Sequence, residues 1–340
     1  MHFCLIVGTR PQIIKSQPLV EEILASDSKL TLIHTGQHYD YQMSKVFFDE
    51  LKIKNPDLNL GVQPNSSVNQ LAQIILKLEK PLQKIKPDFV IIPGDTRSAL
   101  GAAICANRLG IKIAHIEAGA RSKEFDMEEE INRRLIDHCS NILFAPTKNC
   151  YDNLQNEAVI GKPHLSGDTM YDVFLKFKKI LNLRRHDGKY ILMTIHRKDN
   201  IENKTNIKKI LKLVEGVHKK GWNVIFPIHP HTKKQIKSFG LGLDNLDVIE
   251  PVKYSKMLSL LSNASMLITD SGGLQKEAYW TGTPCITIRK STEWIETLAA
   301  GRNVLLKTVS NSSIKTIFEI LETDTPSKIN PKLFGNGHAA

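Results

Sequence analysis

Short apolar runs rich in Ile and Val recur along this chain, at 3–8, 30–35, 89–92, 111–116 and 142–146, and again at 190–194, 224–227, 246–249, 266–269 and 285–288. Amphipathic stretches of helical period lie between them, for example at 68–85 and 97–108. Buried runs that alternate with helices indicate βαβ units and parallel sheets. The two series are separated by "GKPHLSGDTMYD" (161–172) and a Lys/Arg-rich helical piece ending in "LRRHDGK". The predicted class is therefore α/β, with two Rossmann-like, doubly wound domains at 1–168 and 169–340. Ligands of such sheets bind outside the carboxyl ends of the strands, and with two domains the cleft between them is the default site.

Composition narrows the partners. The chain is 41% hydrophobic and 24% charged, which are globular values. No run approaches twenty apolar residues, so no membrane partner is expected. "MHFCLIVGTRP" reads as a buried first strand, without the basic region of a signal peptide. The five cysteines include no CxxC pair, and several sit among apolar residues, as free thiols in a reducing cytoplasm do. The net charge of +11 suits an anionic partner or a generally Lys-rich surface. No RNP-like or zinc-finger pattern accompanies it, so no nucleic-acid partner is expected. The twelve histidines form no HExxH or tight His/Cys set, and no metal is expected.

The chemistry gathers just past the predicted strands. "GTRPQIIK" (8–15), "GQHYD" (36–40), "PGDTRS" (93–98) and "EAGARS" (117–122) follow strands of the first series. "HRKDN" (196–200), "HPHTK" (229–233) and "DSGGLQKE" (270–277) follow strands of the second. Ordinary βα loops hold turn formers, whereas these hold Arg, His, Asp and Glu on one sheet edge. The first loop lacks the G-x-G-x-x-G of a dinucleotide fold, which disfavours NAD or FAD in that mode. Arg10 and Lys15 instead suit ion pairs with phosphate or carboxylate. Asp95 and Glu117 end neighbouring predicted strands, about 5 Å apart, so their carboxylates can share a pocket. The acids at 128–130 start a helix, where negative charge is favoured for structural reasons alone. Arg133 lies four residues past Glu129, and spacing alone fits a salt bridge or a catalytic pair. His196, beside Arg197, suits a phosphate contact or a general acid. Glycines before a helix let an anion approach the N-terminal N–H groups, and Ser271 adds a hydroxyl; the same residues are also good capping chemistry. A G-x-S-x-G nucleophile turn is absent.

Taken together, "GTRPQIIK", "TGQHYD", "PGDT", "HIEAGARS", "EEINR", "TIHRKDN", "PIHPHT", "TDSGGLQKEA" and "TGTPCITIRKSTEW" resemble the non-hydrolysing UDP-N-acetylglucosamine 2-epimerase family. They keep the family order over nearly the whole chain. The resemblance implies a glycosyltransferase-B type fold, no cofactor, a UDP-sugar substrate and a cytoplasmic homodimer. It implies elimination of UDP across C1–C2 to a 2-acetamidoglucal and re-addition after protonation on the other face. By the same resemblance Asp95, Glu117, Glu129, Arg133 and His196 fall at catalytic positions. Arg10, Lys15, Gln37, His38, His229, Ser271, Gly272, Gly273 and Glu277 fall at substrate-binding positions, Glu277 toward the ribose. The chain departs from the pattern at Glu128, where the family has proline, at Gln12, which replaces a glutamate, and at Arg97. "STEW", "GQHYD" and "TRPQ" resemble the subgroup acting on UDP-2,3-diacetamido-2,3-dideoxyglucuronate, whose carboxylate Arg97 would pair with. A hydrolysing epimerase or a glycosyltransferase of the same fold are the other readings. The end "NPKLFGNGHAA" implies that the family's returning C-terminal helix is missing.

Overall fold

The computed structural model describes residues 1–36, 41–63, 65–183, 188–299, 303–310, 312–322 and 329–340, and not the side chains of 41–45 and 331. The chain divides into two compact units, one of Met1–Lys176 with Pro331–Ala340, the other of Phe177–Asn330.

The first unit runs β1 (His2–Val7), α1 (Arg10–Ala25), β2 (Lys29–His34), α2 (Tyr41–Glu50), β3 (Leu58–Asn59), α3 (Ser67–Ile85), β4 (Phe89–Pro93), α4 (Arg97–Arg108), β5 (Lys112–Ile116), α5 (Glu128–Cys139), β6 (Ile142–Ala145), α6 (Lys148–Asn156) and β7 (Lys162–Leu165). α7 (Thr169–Ile180) carries the chain across the division. The strands form one parallel sheet in the order β3-β2-β1-β4-β5-β6-β7. Crossover helices cover both faces, which is why the central strands are continuous apolar runs. Cys4, Ile6, Val90, Ile92 and Ile113 from those strands meet Ile74, Leu78 and Leu82 of α3 and the alanines of α4 in one core.

The second unit runs β8 (Tyr190–Thr194), α8 (Lys198–Ile201), α9 (Lys204–His218), β9 (Asn223–Pro227), α10 (Pro230–Ser238), β10 (Asp247–Ile249), α11 (Tyr254–Asn263), β11 (Met266–Thr269), α12 (Gly272–Thr281), β12 (Cys285–Ile288), α13 (Ile295–Ala299), β13 (Asn303–Leu306) and α14 (Ser312–Glu322). Its parallel sheet has the order β10-β9-β8-β11-β12-β13. Ile207, Ile210, Val214 and Val217 recur on one face of α9 and bury against Ile191, Met193, Phe226 and Ile268 of the sheet. Among the described residues no helix is long and apolar enough to cross a membrane.

Each sheet reverses its strand order once, between β1 and β4 in the first unit and between β8 and β11 in the second. Adjacent βα connections there leave on opposite faces, so the strand ends part and open a crevice. The loops beginning at Gly8 and Gly94 flank the first switch point; those beginning at Ile195 and Asp270 flank the second.

Three strands had no predicted apolar run. β3 and β7 are sheet edges with largely exposed residues, and β13 is the edge beyond β12. The observed division also departs from the boundary at 168/169: it falls at 176/177, within α7, and residues 331–340 rejoin the first unit. Among the described residues no α-helix follows α14, as expected, but the chain end still returns to the first unit through a 3₁₀ turn, Pro331–Phe334. The Asp168 N–H donates to the Phe334 carbonyl at 2.8 Å, the Ala339 N–H donates to the Asp172 carboxylate at 2.8 Å, and the Phe334 ring is fully buried.

Candidate active site

In the first unit the carboxyl ends of β1, β4 and β5 carry the acids. α1 starts on an extended Thr9 with Pro11 in its first turn, a preset φ that suits a helix start. A Cβ at Gly8 would overlap the hydroxyls of Thr35 and Ser98, so only glycine lets β1 turn into α1 here. Gln12 closes the turn, accepting from the Gly8 N–H at 2.9 Å and donating to the Pro93 carbonyl at 2.7 Å. That ties the first loop to the end of β4.

Glu117 leaves β5 with φ at 71°, a left-handed conformation that costs a non-glycine residue energy. The strain turns its carboxylate into an ion pair with the Lys15 ammonium, and both side chains are about nine-tenths buried. Gly94, with φ at 72°, lies beside that pair: a Cβ there would sit 3.3 Å from Lys15 Nζ and 3.7 Å from the Glu117 carboxylate. Asp95 follows. Its Oδ2 accepts from Nε and Nη2 of Arg133 at 2.8 and 2.7 Å, and its carbonyl accepts from Asn132 Nδ2 at 2.8 Å.

The three glutamates that open α5 have different surroundings. Glu128 holds Arg97 through Nε and through Nη2 at 2.8 Å. Glu130 is fully buried and accepts from Ser122 N–H and Oγ, Arg133 and Arg134. Burial pushes its carboxyl up, but the Ser122 N–H and the Arg133 and Arg134 charges outweigh burial and hold it below the usual range. Glu129 is half-buried and bonds to none of the described residues. Arg133 therefore pairs with Asp95 and Glu130, and the spacing-based pair with Glu129 does not form.

Beneath these groups lies a buried network that residue spacing did not reveal. His115 meets Asp137 through Nδ1 at 2.6 Å and the Gly94 carbonyl through Nε2 at 2.9 Å. Asp137 also accepts from Arg121 at 2.7 Å and from the Gly119 N–H at 3.1 Å. Burial raises the Asp137 carboxyl, yet His115 and Arg121 together leave it below its ordinary value. The network fixes the loops after β4 and β5. His115 begins the "HIEAGARS" stretch, but its partner is 22 residues away.

In the second unit Asp270 organises the switch point. It is fully buried and accepts from the backbone N–H groups of His196 at 3.1 Å and Arg197 at 2.9 Å, and from Asn200 Nδ2 at 2.9 Å. His196 Nδ1 lies 3.2 Å from its Oδ1, with the ring half exposed. A buried carboxylate thus orients an accessible imidazole, the arrangement of a positioned acid or phosphate ligand. Asp270 was not singled out as a site residue; its place at the end of β11, beside β8, was the available signal.

Ser271 caps α12, its Oγ accepting from the Leu274 N–H at 3.4 Å. Gly272 and Gly273 begin the helix, where N–H groups and the dipole favour an anion. A Cβ on Gly272 would lie 2.7 Å from Glu293 Oε1 and 3.2 Å from Trp294 Nε1, so the protein's own segment fits against this glycine. Arg289 pairs with Glu293 at 2.7 Å and offsets its charge. The buried Lys276 ammonium sits 3.9 Å from the centre of the Trp294 ring. Glu277 is buried one turn further along α12. His229 is exposed at the end of β9 and caps α10. Arg10 is exposed at the start of α1, stacked over Phe47 at 5.2 Å. Gln37 and His38 lie outside the described residues. Among the described residues no group of three His, Cys, Asp or Glu is placed to hold a metal ion.

Arg97 does not stand where a sugar contact was expected of it. Its Nε and Nη2 go to Glu128 and its Nη1 to Gln70 at 2.8 Å, so its fork is engaged by the protein and not held ready for a sugar carboxylate.

The family model for UDP-N-acetylglucosamine 2-epimerase matches residues 22–340. A UDP-N-acetylglucosamine 2-epimerase of Methanococcus maripaludis is 41% identical over 98% of this chain and 95% of its own length. A UDP-2,3-diacetamido-2,3-dideoxy-D-glucuronate 2-epimerase of Pseudomonas aeruginosa is 37% identical over 100% and 97%. The crystal structure of Methanocaldococcus jannaschii UDP-GlcNAc 2-epimerase in complex with UDP-GlcNAc and UDP superposes with a TM-score of 0.92 at 38% identity, covering 100% of this chain and 97% of that one. That of the Neisseria meningitidis enzyme bound to UDP-GlcNAc gives 0.87 at 28% identity, covering 100% and 97%.

Proposed function

Because the chain belongs to the UDP-N-acetylglucosamine 2-epimerase family, we propose that it interconverts UDP-GlcNAc and UDP-ManNAc without hydrolysing either. The observation that carries this reading is the carboxylate set at the first switch point, with Asp95 and Glu117 each held against a cation and Glu129 left unengaged. Under it a carboxylate takes the C2 proton, the C–H electron pair forms the C1=C2 bond, and the C1–O bond breaks with its pair leaving on UDP. Protonation of C2 from the opposite face and return of UDP to C1 complete the inversion. Asp95, Glu117 and Glu129 are the acids and bases. Arg133 and Lys15 hold the Asp95 and Glu117 carboxylates in place.

The second unit's groups serve the leaving group. His196, oriented by Asp270, and the N–H groups at Gly272 and Gly273 stabilise charge as it develops on the diphosphate, with the Ser271 hydroxyl beside them; the Ser271 N–H is taken by Thr269 Oγ1 at 3.0 Å. Glu277 takes the ribose hydroxyls, and Arg10 and His229 contribute cationic or donor contacts. The engagement of Arg97 favours the N-acetylhexosamine over the 6-carboxylate sugar.

The test is incubation of the protein with UDP-GlcNAc in deuterated water, followed by NMR. Deuterium at C2 with UDP-ManNAc as product supports the reading. Free ManNAc would mark a hydrolysing enzyme, and a transferred sugar a glycosyltransferase. Exchange with the diacetamido uronate alone would overturn the substrate assignment.

A further inference from the structure

α5 opens on three successive glutamates after Met127, whose side chain does not cap the helix. A helix start without a cap leaves N–H groups unsatisfied and frays unless something else secures it. Here the first and third glutamates do that. Glu130 is held by Ser122, Arg133 and Arg134. Glu128 takes a two-pronged bond from Arg97 and a longer one from Ser67 Oγ at 3.4 Å. Gln70 anchors the third prong of Arg97 at 2.8 Å.

Arg97 is the first residue of α4 and lies two residues past Asp95. Its pair with Glu128 therefore joins the loop bearing Asp95 to the turn bearing Glu129. Asn132 and Arg133 make a second link to Asp95 one turn further on. A planar guanidinium bonded in two prongs fixes direction as well as distance, which a lysine does not. We infer that the Arg97–Glu128 pair is a positioning clamp that holds the first turn of α5 and keeps Glu129 in register with Asp95; its catalytic meaning rests on the function proposed above. The pair also explains why glutamate is tolerated at the first helical position. Proline there needs no partner, because its φ is already helical; glutamate there gains one.

The clamp is tested in the full-length protein with Arg97→Met, which keeps the apolar stem and removes the fork. Amides 129–132 are expected to exchange with solvent roughly tenfold faster, as a released helix end does. Because small displacements of a reacting group are costly, kcat for C2 exchange is expected to fall about tenfold to a hundredfold, with KM within about twofold. Adding Glu128→Pro to Arg97→Met is expected to restore both amide protection and kcat. Arg97→Lys, which keeps the charge, serves if the methionine variant does not fold, and is expected to lose kcat in the same sense. Unchanged amide exchange, or an unchanged kcat despite faster exchange, overturns the clamp. Failure of the proline to rescue assigns the loss to a contact of Arg97 itself and also overturns it. A wild-type protein without C2 exchange overturns the proposed function instead, and the amide exchange still decides the clamp.

Discussion

Replacing Asp270 with alanine removes one acceptor from three donors, the part-buried N–H groups of His196 and Arg197 and the buried Asn200 amide. A buried donor deprived of its partner costs about 1–3 kcal/mol. With three donors affected and two of them open to water, roughly 4 kcal/mol is expected in all. The affected unit, Phe177–Asn330, falls in the size range where each kcal/mol moves Tm by about 2–4 °C. Its melting transition should therefore drop by roughly 8–16 °C, read by calorimetry. His196→Ala is the necessary contrast. That ring is half exposed, so its removal should leave Tm within about 2 °C while lowering kcat about a hundredfold, the scale of a lost acid or donor. A melting transition for Asp270→Ala within about 3 °C of wild type would refute the reasoning, since the orphaned donors would then have found water or other acceptors at little cost.

Asp95→Asn and Glu117→Gln are each expected to lower C2 exchange by about 10²–10⁴-fold while UDP still binds, measured by exchange and by calorimetric titration; near-normal rates in either would remove that residue from the chemistry. Gly272→Ala should raise KM for the UDP-sugar and also lower Tm, read by kinetics and calorimetry, because its new methyl at the start of α12 displaces the buried, Arg289-paired Glu293 carboxylate 2.7 Å away. Glu130 and Asp137 have depressed carboxyls, against ordinary values of 4.5 and 3.8, so the unfolded chain binds more protons in acid. Their stabilisation should be complete above about pH 4.5 and fade as pH falls through the depressed values, seen as a Tm that is flat near neutrality and falls below about pH 4.5. Burial pushes the Cys4 and Cys285 thiols up to about 12 and Cys105 to about 11. A thiol reagent at pH 8 should modify the partly buried Cys139 first and leave those three untouched until unfolding.

The strands that form the centre of each sheet were legible because crossover helices cover them twice, leaving long apolar runs such as 3–8 and 266–269. The edges were not. Leu58–Asn59 and Lys162–Leu165 lean on one neighbour each and keep polar or exposed side chains, so no hydrophobic signal marks them. At the candidate site, the strand-end positions of Asp95, Glu117 and His196 were legible in local sequence. What escaped were the residues whose roles depend on distant partners. Asp270 acts through N–H groups 73 and 74 residues away, and His115 through Asp137. Arg97 was expected to meet a sugar carboxylate because Glu128, 31 residues on, carries no mark in the sequence of facing it. The three glutamates at 128–130 were likewise equivalent by spacing and become distinct only through their partners.

The return of Pro331–Ala340 to the first unit bears on the order in which the protein can be made. A ribosome delivers residues 1–176 first, yet Phe334 and the carbonyl that receives the Asp168 N–H emerge only after the whole of Phe177–Asn330. The second unit is continuous in sequence and can close as soon as it leaves the exit tunnel. The first waits, with the surface that Phe334 will cover still wet, so the half synthesised earliest is the half completed last.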